Sequence, residues 1–191
     1  MDTNKLSPEE KDTLLKIARH TLEEKIRGDK HPPLNAASLR TPLLQSDGAS
    51  FVTFTINGQL RGCIGTLEPY QPLVDDVREH TLSAALNDYR FPQVSAEELD
   101  QIKIEISRLT APTPLIYTDA DDLIAKLRPN IDGVVLIDGH RRATFLPQVW
   151  KQLPKTEDFL NHLCQKMGAP ADLWMRKKLD VLIYQVEEFS E

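Results

Sequence analysis

The dipeptide Asn57-Gly58 is the feature of the sequence that most constrains the fold. Both residue types accept positive φ, which makes the pair typical of a two-residue type I′ turn in a β-hairpin. Residues Phe51–Ile56, which precede the turn, are all β-branched or aromatic, as expected of a strand. The sequence therefore predicts a hairpin whose return strand runs through Arg61-Gly62-Cys63.

The two-residue turn also predicts which residues of the hairpin face each other. Counting outward from the turn gives three pairs: Ile56 with Gln59, Phe54 with Arg61, and Val52 with Cys63. Side chains alternate between the two faces of a strand, so residues two apart lie on the same face. We therefore expect Arg61 and Cys63 to share one side of the hairpin.

Local signals predict helices mixed with strands along the rest of the chain. Capping boxes at Ser7 and Ser95 begin two helices, and the first of these ends at Gly28. Helical patterns cover 73–87, 119–127 and 156–168, the last capped by Thr156, and strand patterns cover 102–106, 133–137, 140–146 and 179–186.

Residues 29–45 contain three prolines and are predicted to form an ordered crossing or a flexible arm. This mixture favours an α+β fold with a largely antiparallel sheet, and no repeat or shift in composition divides residues 1–191 into separate domains.

Charge and apolar content exclude several classes of protein. The net charge of −6 provides no general positive field, so nucleic-acid binding is not expected. No apolar run approaches the roughly 20 residues that span a bilayer, and the polar N-terminus is unlike a secretory signal, so we expect a cytoplasmic protein without membrane contact. The two cysteines are expected to be free thiols. The five histidines show no metal-binding spacing, so neither a metal nor another cofactor is predicted.

The segment Leu60-Arg61-Gly62-Cys63-Ile64-Gly65-Thr66 is unusual because two glycines interrupt a predicted strand. Glycine within a strand marks a bulge or a close approach of something to the backbone. The glycines could accommodate a ligand, a neighbouring helix or a bulge, and the sequence favours none of these interpretations over the others. The glycine spacing matches neither a dinucleotide-binding fingerprint nor a phosphate-binding loop.

Cys63 is the candidate nucleophile or covalent anchor of this segment. The predicted register places its thiol beside the guanidinium of Arg61, and a nearby cation stabilises a thiolate. The alternative is that Cys63 packs in the core as a small apolar residue, opposite Val52 and close to Phe54. Residue statistics favour the packing role.

Arg61 needs an anionic partner if it lies on an apolar strand face. Glu105 and Asp75 are the internal candidates for a structural ion pair. A small anionic ligand is the other candidate, and the sequence leaves both open.

Other residues could line a site or serve the fold alone. Arg141 and Arg142, followed by Thr144, come directly after the Asp138-Gly139 turn of a second predicted hairpin. Asp88-Tyr89-Arg90-Phe91-Pro92 forms either the rim of a site or a helix stop. Cys164 is assigned to the core because it lies on the apolar stripe of its own helix.

Four motifs together resemble the AMMECR domain family, also called AmmeMemoRadiSam system protein A. They are Leu60-Arg61-Gly62-Cys63-Ile64-Gly65-Thr66, Arg90-Phe91-Pro92, Ile104-Glu105-Ile106-Ser107 and the stretch from Ala143 to Pro154. The resemblance spans nearly the whole chain. It implies an α+β fold of two unequal, intertwined lobes that flank a cleft, with the first motif as the suspected functional segment.

The resemblance also suggests partners and site residues. It implies a neighbourhood of a Memo-like protein and a radical SAM enzyme, while no activity is established for the family. The candidate ligand-binding or cleft residues are Arg61, Gly62, Gly65, Thr66, Arg90, Glu105, Arg141 and Thr144, and Cys63 is the candidate catalytic residue. The chain departs from the family at Tyr89, where proline is common, and at Asp132, where histidine is common, which makes a general base at Asp132 less credible.

The sequence and the resemblance together support two functional hypotheses. The first is an accessory or substrate-binding component that acts with the Memo-like and radical SAM proteins. The second is an enzyme that uses Cys63 as a thiol activated by Arg61 on a small anionic substrate. A nucleic-acid-binding module is disfavoured by the acidic pI near 5.4.

Overall fold

Two antiparallel sheets, each with its own hydrophobic core, organise the computed structural model, which describes residues 5–191. The larger unit holds the described residues up to Thr110 together with Glu187–Glu191, and the smaller unit holds Ala111–Val186. The predicted α+β class is therefore confirmed. The polar N-terminus, Met1–Asn4, lies outside the described residues, and the cleft between lobes stays a prediction.

The helices and strands between residues 5 and 191 alternate along the chain. The α-helices are α1 (Pro8–Ile26), α2 (Ala36–Leu39), α3 (Pro42–Gln45), α4 (Leu73–Leu86), α5 (Ala120–Lys126), α6 (Thr156–Lys166) and α7 (Leu173–Arg176). The strands are β1 (Asp47–Ile56), β2 (Gln59–Gly65), β3 (Gln71–Pro72), β4 (Lys103–Leu109), β5 (Thr113–Pro114), β6 (Gly133–Asp138), β7 (Arg141–Phe145), β8 (Asp180–Tyr184) and β9 (Val186–Ser190). Short 3-10 helices cover Ala96–Glu98 and Pro147–Lys151. None of the helices in this range has the length and apolar character needed to cross a bilayer.

The larger unit packs α1 and α4 on one face of its sheet. The strand order is β2-β1-β4-β9, with β3 beside β1, so β2 lies at an edge. Alternate residues of the central strands enter the core, among them Val52, Phe54 and Ile104. The residues between them, such as Thr53, therefore point to the opposite face of the sheet.

The smaller unit has the strand order β5-β8-β6-β7. Its core centres on Trp150 and Phe159, whose rings stack at 3.7 Å between centroids. Cys164 is fully buried in this core, as its place on the apolar stripe of α6 predicts. Gly168, with φ +76, follows the end of that helix.

The start of α1 confirms the local prediction in detail. The Ser7 hydroxyl accepts from the backbone N–H of Glu10, and the Glu10 carboxylate accepts from the N–H of Ser7. The helix ends at Ile26, and Gly28 follows with φ +75, a conformation that glycine adopts without strain. Its apolar stripe, which includes Leu14 and Leu22, is buried.

Four local predictions were wrong in detail. Residues 29–45 are not wholly irregular, because they contain α2 and α3. The predicted strand 179–186 divides into β8 and the start of β9, which belong to different sheets. The second hairpin turns at Gly139-His140, one residue later than predicted, because Asp138 pairs with Arg141. Thr156 does not cap α6, whose N-cap is Lys155.

Candidate functional site

The first hairpin has the predicted turn and a β-bulge, which was one of the alternatives that its glycines left open. Asn57 and Gly58 have φ values of +52° and +77°, as a type I′ turn requires. Ile56 pairs with Gln59 as predicted. The register then shifts, because Thr55 pairs with Leu60 while Phe54 pairs with Gly62. Arg61 is left as the extra residue of the bulge.

The bulge changes the faces assigned to the later residues of β2. Cys63 pairs with Thr53, not with Val52, and it leaves the face that carries the core. The predicted pairs of Phe54 with Arg61 and of Val52 with Cys63 were therefore wrong. Arg61 and Cys63 bind different groups and do not form the predicted thiol–guanidinium pair. A one-residue slip exchanges the two faces of a strand, and here the bulge supplies the slip.

Neighbouring backbone explains both glycines of the segment. A methyl group at Gly62 would lie 2.5 Å from the carbonyl oxygen of Ala84, which shows that α4 packs directly on β2 at this point. A methyl group at Gly65 would overlap the carbonyl oxygen of Ser50 and the ring of Phe51. The close approach that the sequence predicted comes from a helix and from the adjacent strand.

Arg61 forms an ion pair with Glu98, which the sequence did not predict as its partner. Its Nε and Nη2 donate to the two carboxylate oxygens of Glu98 at 2.6 and 3.0 Å, and only 12% of the Arg61 side chain is exposed. The guanidinium lowers the pKa of Glu98 through these hydrogen bonds. The predicted partners Glu105 and Asp75 were wrong. Glu98 also accepts from the backbone N–H of Ser95, so one carboxylate caps the 3-10 helix and anchors the bulge.

Asp88 and Arg90 clamp the free edge of β2 at Cys63. The Asp88 carboxylate accepts from the Cys63 N–H at 2.9 Å, and Arg90 Nη2 donates to the Cys63 carbonyl at 3.1 Å. Arg90 also donates to both oxygens of Asp88, at 2.9 and 2.7 Å. These hydrogen bonds hold the pKa of Asp88 far below its usual value. The clamp satisfies backbone groups that an edge strand would otherwise expose.

The thiol of Cys63 belongs to a row of polar side chains across three strands, which we call the Cys63 row: Cys63 on β2, Thr53 on β1 and Glu105 on β4. The Thr53 hydroxyl donates to the Cys63 Sγ at 3.2 Å. Cys63 is half-buried and lies outside the apolar clusters, so the prediction that it packs in the core beside Phe54 was wrong. The row faces away from α1 and α4, and Glu105 is exposed at its end.

Arg90, not Arg61, is the cation near this thiol. The pKa of Arg90 is raised chiefly by its hydrogen bonds to Asp88, and the charge of Cys63 adds to the effect. Arg90 contacts Cys63 at its backbone carbonyl, while the thiol itself accepts from Thr53. The sequence shows Arg90 but does not show that it lies close to Cys63. Their proximity depends on the path of the chain after α4.

A buried polar network next to Thr66, at the end of the segment, was not predicted from the sequence. Thr66 donates its N–H to the carbonyl of Ser50, whose hydroxyl donates to the Asp76 carboxylate at 2.6 Å. His80 Nδ1 lies 3.2 Å from the same Asp76 oxygen. The i, i+4 spacing of Asp76 and His80 on α4 was the available signal.

A family model described as AMMECR1 matches residues 15–189. The chain belongs to the AMMECR1 family. A protein of Methanothermobacter thermautotrophicus is 41% identical to it over 187 residues, which cover 97% of this chain and 96% of that protein. Protein MK0488 of Methanopyrus kandleri is 33% identical over 199 residues, covering 98% of this chain and 91% of that protein.

A solved structure has the same fold as this AMMECR1-family chain. The crystal structure of the uncharacterized protein PH0010 from Pyrococcus horikoshii matches with a TM-score of 0.72 and 30% sequence identity. The match covers 97% of this chain and 93% of that one. The predicted resemblance is thereby confirmed at the level of family and fold.

Two predicted site residues of this AMMECR1-family chain lie in the smaller unit. Arg141 pairs with Asp138, which also accepts from Lys177 Nζ at 2.6 Å. These two cations lower the pKa of Asp138, with Lys177 contributing most. The Thr144 hydroxyl lies 3.0 Å from the Tyr184 hydroxyl. The other predicted residues all belong to the larger unit.

Asp132 has a structural role in this AMMECR1-family chain. It is fully buried, and its carboxylate accepts from the backbone N–H, Nε and Nη2 of Arg128. Its own carbonyl accepts from the indole N–H of Trp150 at 2.7 Å. These bonds fix the turn that leads into β6 against the core of the smaller unit.

Proposed function

We propose that this AMMECR1-family chain is an accessory, substrate-binding component that acts with a Memo-like protein and a radical SAM enzyme, and that it binds through the Cys63 row. The partners come from the family resemblance. The surface comes from the larger sheet, where the row presents a thiol, a hydroxyl and an exposed carboxylate on the face opposite α1 and α4.

The observation that carries the binding role is that Arg61 of the segment and Arg90, which contacts the segment at Cys63, are both committed to carboxylates. Arg61 is held by Glu98 and Arg90 by Asp88, and each pair is bidentate. Bidentate pairs fix geometry as well as charge. The two arginines thus stiffen the edge of the sheet. The Cys63 thiol accepts from the Thr53 hydroxyl, which is not a general base.

Reconstitution with the two proposed partners tests this role. The full chain is mixed with the Memo-like and radical SAM proteins of the same organism at about 10 µM each, and complexes are measured by sedimentation velocity. We expect a complex that Glu105→Lys weakens, because the substitution reverses the charge at the exposed end of the row. Lys16→Glu is the matched control, since it reverses an exposed charge on α1. Absence of any complex, or equal loss in both variants, rejects the proposal.

A second candidate function is covalent chemistry at Cys63 on a small anionic substrate. The contacts that favour it are the hydrogen bond from the Thr53 hydroxyl to the thiol and the guanidinium of Arg90 at the Cys63 backbone. Glu105 is the acidic group of the same row, and it would disfavour a substrate of high negative charge.

Alkylation by iodoacetamide at pH 7 separates the two functions. An activated Cys63 reacts at least about tenfold faster than free cysteine, and Thr53→Val and Arg90→Gln each slow it. Cys164 is the internal control, because burial raises its pKa and shields it. A Cys63 no faster than free cysteine, with no effect of either substitution, leaves only the binding role.

A further inference from the structure

A cluster of metal-ligating side chains lies at the end of α1, within the larger unit and outside the Cys63 row. Glu23, Asp29 and His31 each offer one ligand atom, and these atoms all lie within 4.8 Å of one another. All three residues are half-buried. We propose that they bind a divalent transition-metal ion such as Zn²⁺.

The contact between His31 and Glu23 has the length of a hydrogen bond but leaves the imidazole nitrogen without one. His31 Nε2 lies 3.0 Å from Glu23 Oε2, yet this nitrogen is buried and makes no hydrogen bond of acceptable geometry. Tetrahedral bonds of about 2.1 Å from Zn²⁺ place neighbouring ligand atoms about 3.4 Å apart, and the three candidate ligand atoms already lie within 4.8 Å of one another. A shared ion would satisfy the orphaned nitrogen and the carboxylate together.

The backbone and a second imidazole position these ligands. Gly28, at φ +75, turns the chain back after α1, so that Asp29 and His31 return to the last turns of the helix. The ring of His20 stacks on the ring of His31 with 4.0 Å between centroids and an interplanar angle of 6°. His20 is therefore a positioning residue that holds the plane of the ligand.

The two nearby arginines do not depend on the cluster for their own partners. Arg27 lies 3.1 Å from Asp29, but its Nη2 also donates to Asp100 at 3.0 Å. Arg19 lies 3.9 Å from Glu23, while its donors bind the Glu191 carboxylate and two backbone carbonyls. A bound cation would coordinate the carboxylates of Glu23 and Asp29, and Arg19 and Arg27 would each keep another hydrogen-bonding partner.

The donor set selects the class of metal. One imidazole nitrogen with two carboxylates suits Zn²⁺, Co²⁺ or Ni²⁺, whereas Mg²⁺ and Ca²⁺ prefer oxygen alone. The site could not be predicted from the sequence, because its three residues match no zinc-binding spacing.

Metal titration of the full, tag-free chain tests the proposal. Zn²⁺ binding is measured by calorimetry and Co²⁺ binding by visible absorption, each against chain first treated with a chelator. We expect one ion per chain with Kd below about 100 µM. His31→Gln and Asp29→Asn should each weaken binding at least about tenfold, as loss of a ligand does. Glu24→Gln is the matched control, because it removes a carboxylate from the same helix outside the cluster.

Two further measurements keep the outcome decisive. The melting temperature without metal shows whether each variant folds, and Asp29 lies after the helix, where substitution should not unfold the chain. Cys63→Ser tests the most obvious competing ligand, and Zn²⁺ affinity should be unchanged in it. Failure of Zn²⁺ and Co²⁺ to bind, loss of binding in Cys63→Ser, or full binding in folded His31→Gln overturns the site.

Discussion

The two hairpins of the chain both turn at glycine-containing dipeptides, but their strands pair differently beyond the turn. In the hairpin of β1 and β2, a bulge at Arg61 shifts the register after two pairs. In the hairpin of β6 and β7, the pairing from Asp138 with Arg141 to Val134 with Phe145 is uninterrupted. The first hairpin therefore directs Cys63 to a polar sheet face, while the first four residues of β6 are buried.

The ion pairs of the two hairpins differ in the same way. Arg141 pairs with Asp138 across the turn, three residues away. Arg61 and Arg90 instead bind carboxylates that join β2 to the segment after α4. The comparison teaches that the first hairpin is bound at its interrupted edge strand by the segment after α4, whereas in the second hairpin Asp138 binds both a partner across the turn and the distant Lys177.

The largest expected effect comes from a side chain at Gly62. Gly62→Val places a bulky group against the Ala84 carbonyl of α4, and we expect a loss of about 3 kcal/mol in the free energy of unfolding, as overpacking produces. Gly139→Ala in the second hairpin meets open space and costs only about 1 kcal/mol for its positive φ. Urea denaturation of both variants checks the contrast. Equal losses would mean that α4 does not press on β2.

Removal of the clamp carboxylate should have the next largest effect. Asp88→Asn replaces the charged acceptor of the Cys63 N–H and of Arg90, and we expect about 2 kcal/mol of destabilisation at pH 7. The pKa of Asp88 is lowered in the folded chain, so its contribution is present above the unfolded pKa of about 3.9 and is lost as the pH falls toward the folded pKa.

The difference in unfolding free energy between the parent and Asp88→Asn should thus be constant above about pH 5 and shrink below about pH 4. Asp138→Asn is the comparison in the second hairpin, where the pKa of the carboxyl is also lowered. Its destabilisation should be smaller, because Asp88 also accepts from the backbone N–H groups of Cys63 and Arg90, whereas Asp138 is bound by the side chains of Arg141 and Lys177. If the loss of unfolding free energy in Asp88→Asn does not change with pH, the charge of Asp88 does not contribute to the clamp.

The smallest expected effect is the coupling between Arg61 and Glu98. A double-mutant cycle with Arg61→Gln and Glu98→Gln should give about 1 kcal/mol, since the pair is bidentate but partly solvated. Thermal unfolding with and without phosphate sharpens the result. If phosphate stabilises the parent but not Arg61→Gln, the guanidinium binds an anionic ligand. A coupling energy of zero between Arg61 and Glu98 would exclude the structural ion pair.

Much of the fold could be predicted from local signals. The capping box at Ser7, the stop at Gly28 and the apolar stripe that buries Cys164 depend on residues within a few positions of one another. The candidate segment from Leu60 to Thr66 could be singled out because glycines in a strand are rare. Its geometry could not be predicted, since a bulge of one residue leaves no separate mark in a run that already contains glycine.

The sequence by itself determined the Asn57-Gly58 turn, the α+β class and the AMMECR1 resemblance, because these depend on turn chemistry, periodicity and ungapped motifs. Only the tertiary structure decided that Arg61 binds Glu98, 37 residues away, and that Asp88 binds the backbone of Cys63, 25 residues away. The physical reason is that a charged side chain pairs with whichever carboxylate the packing brings near. The packing of α4 on β2 at Gly62 sets that choice.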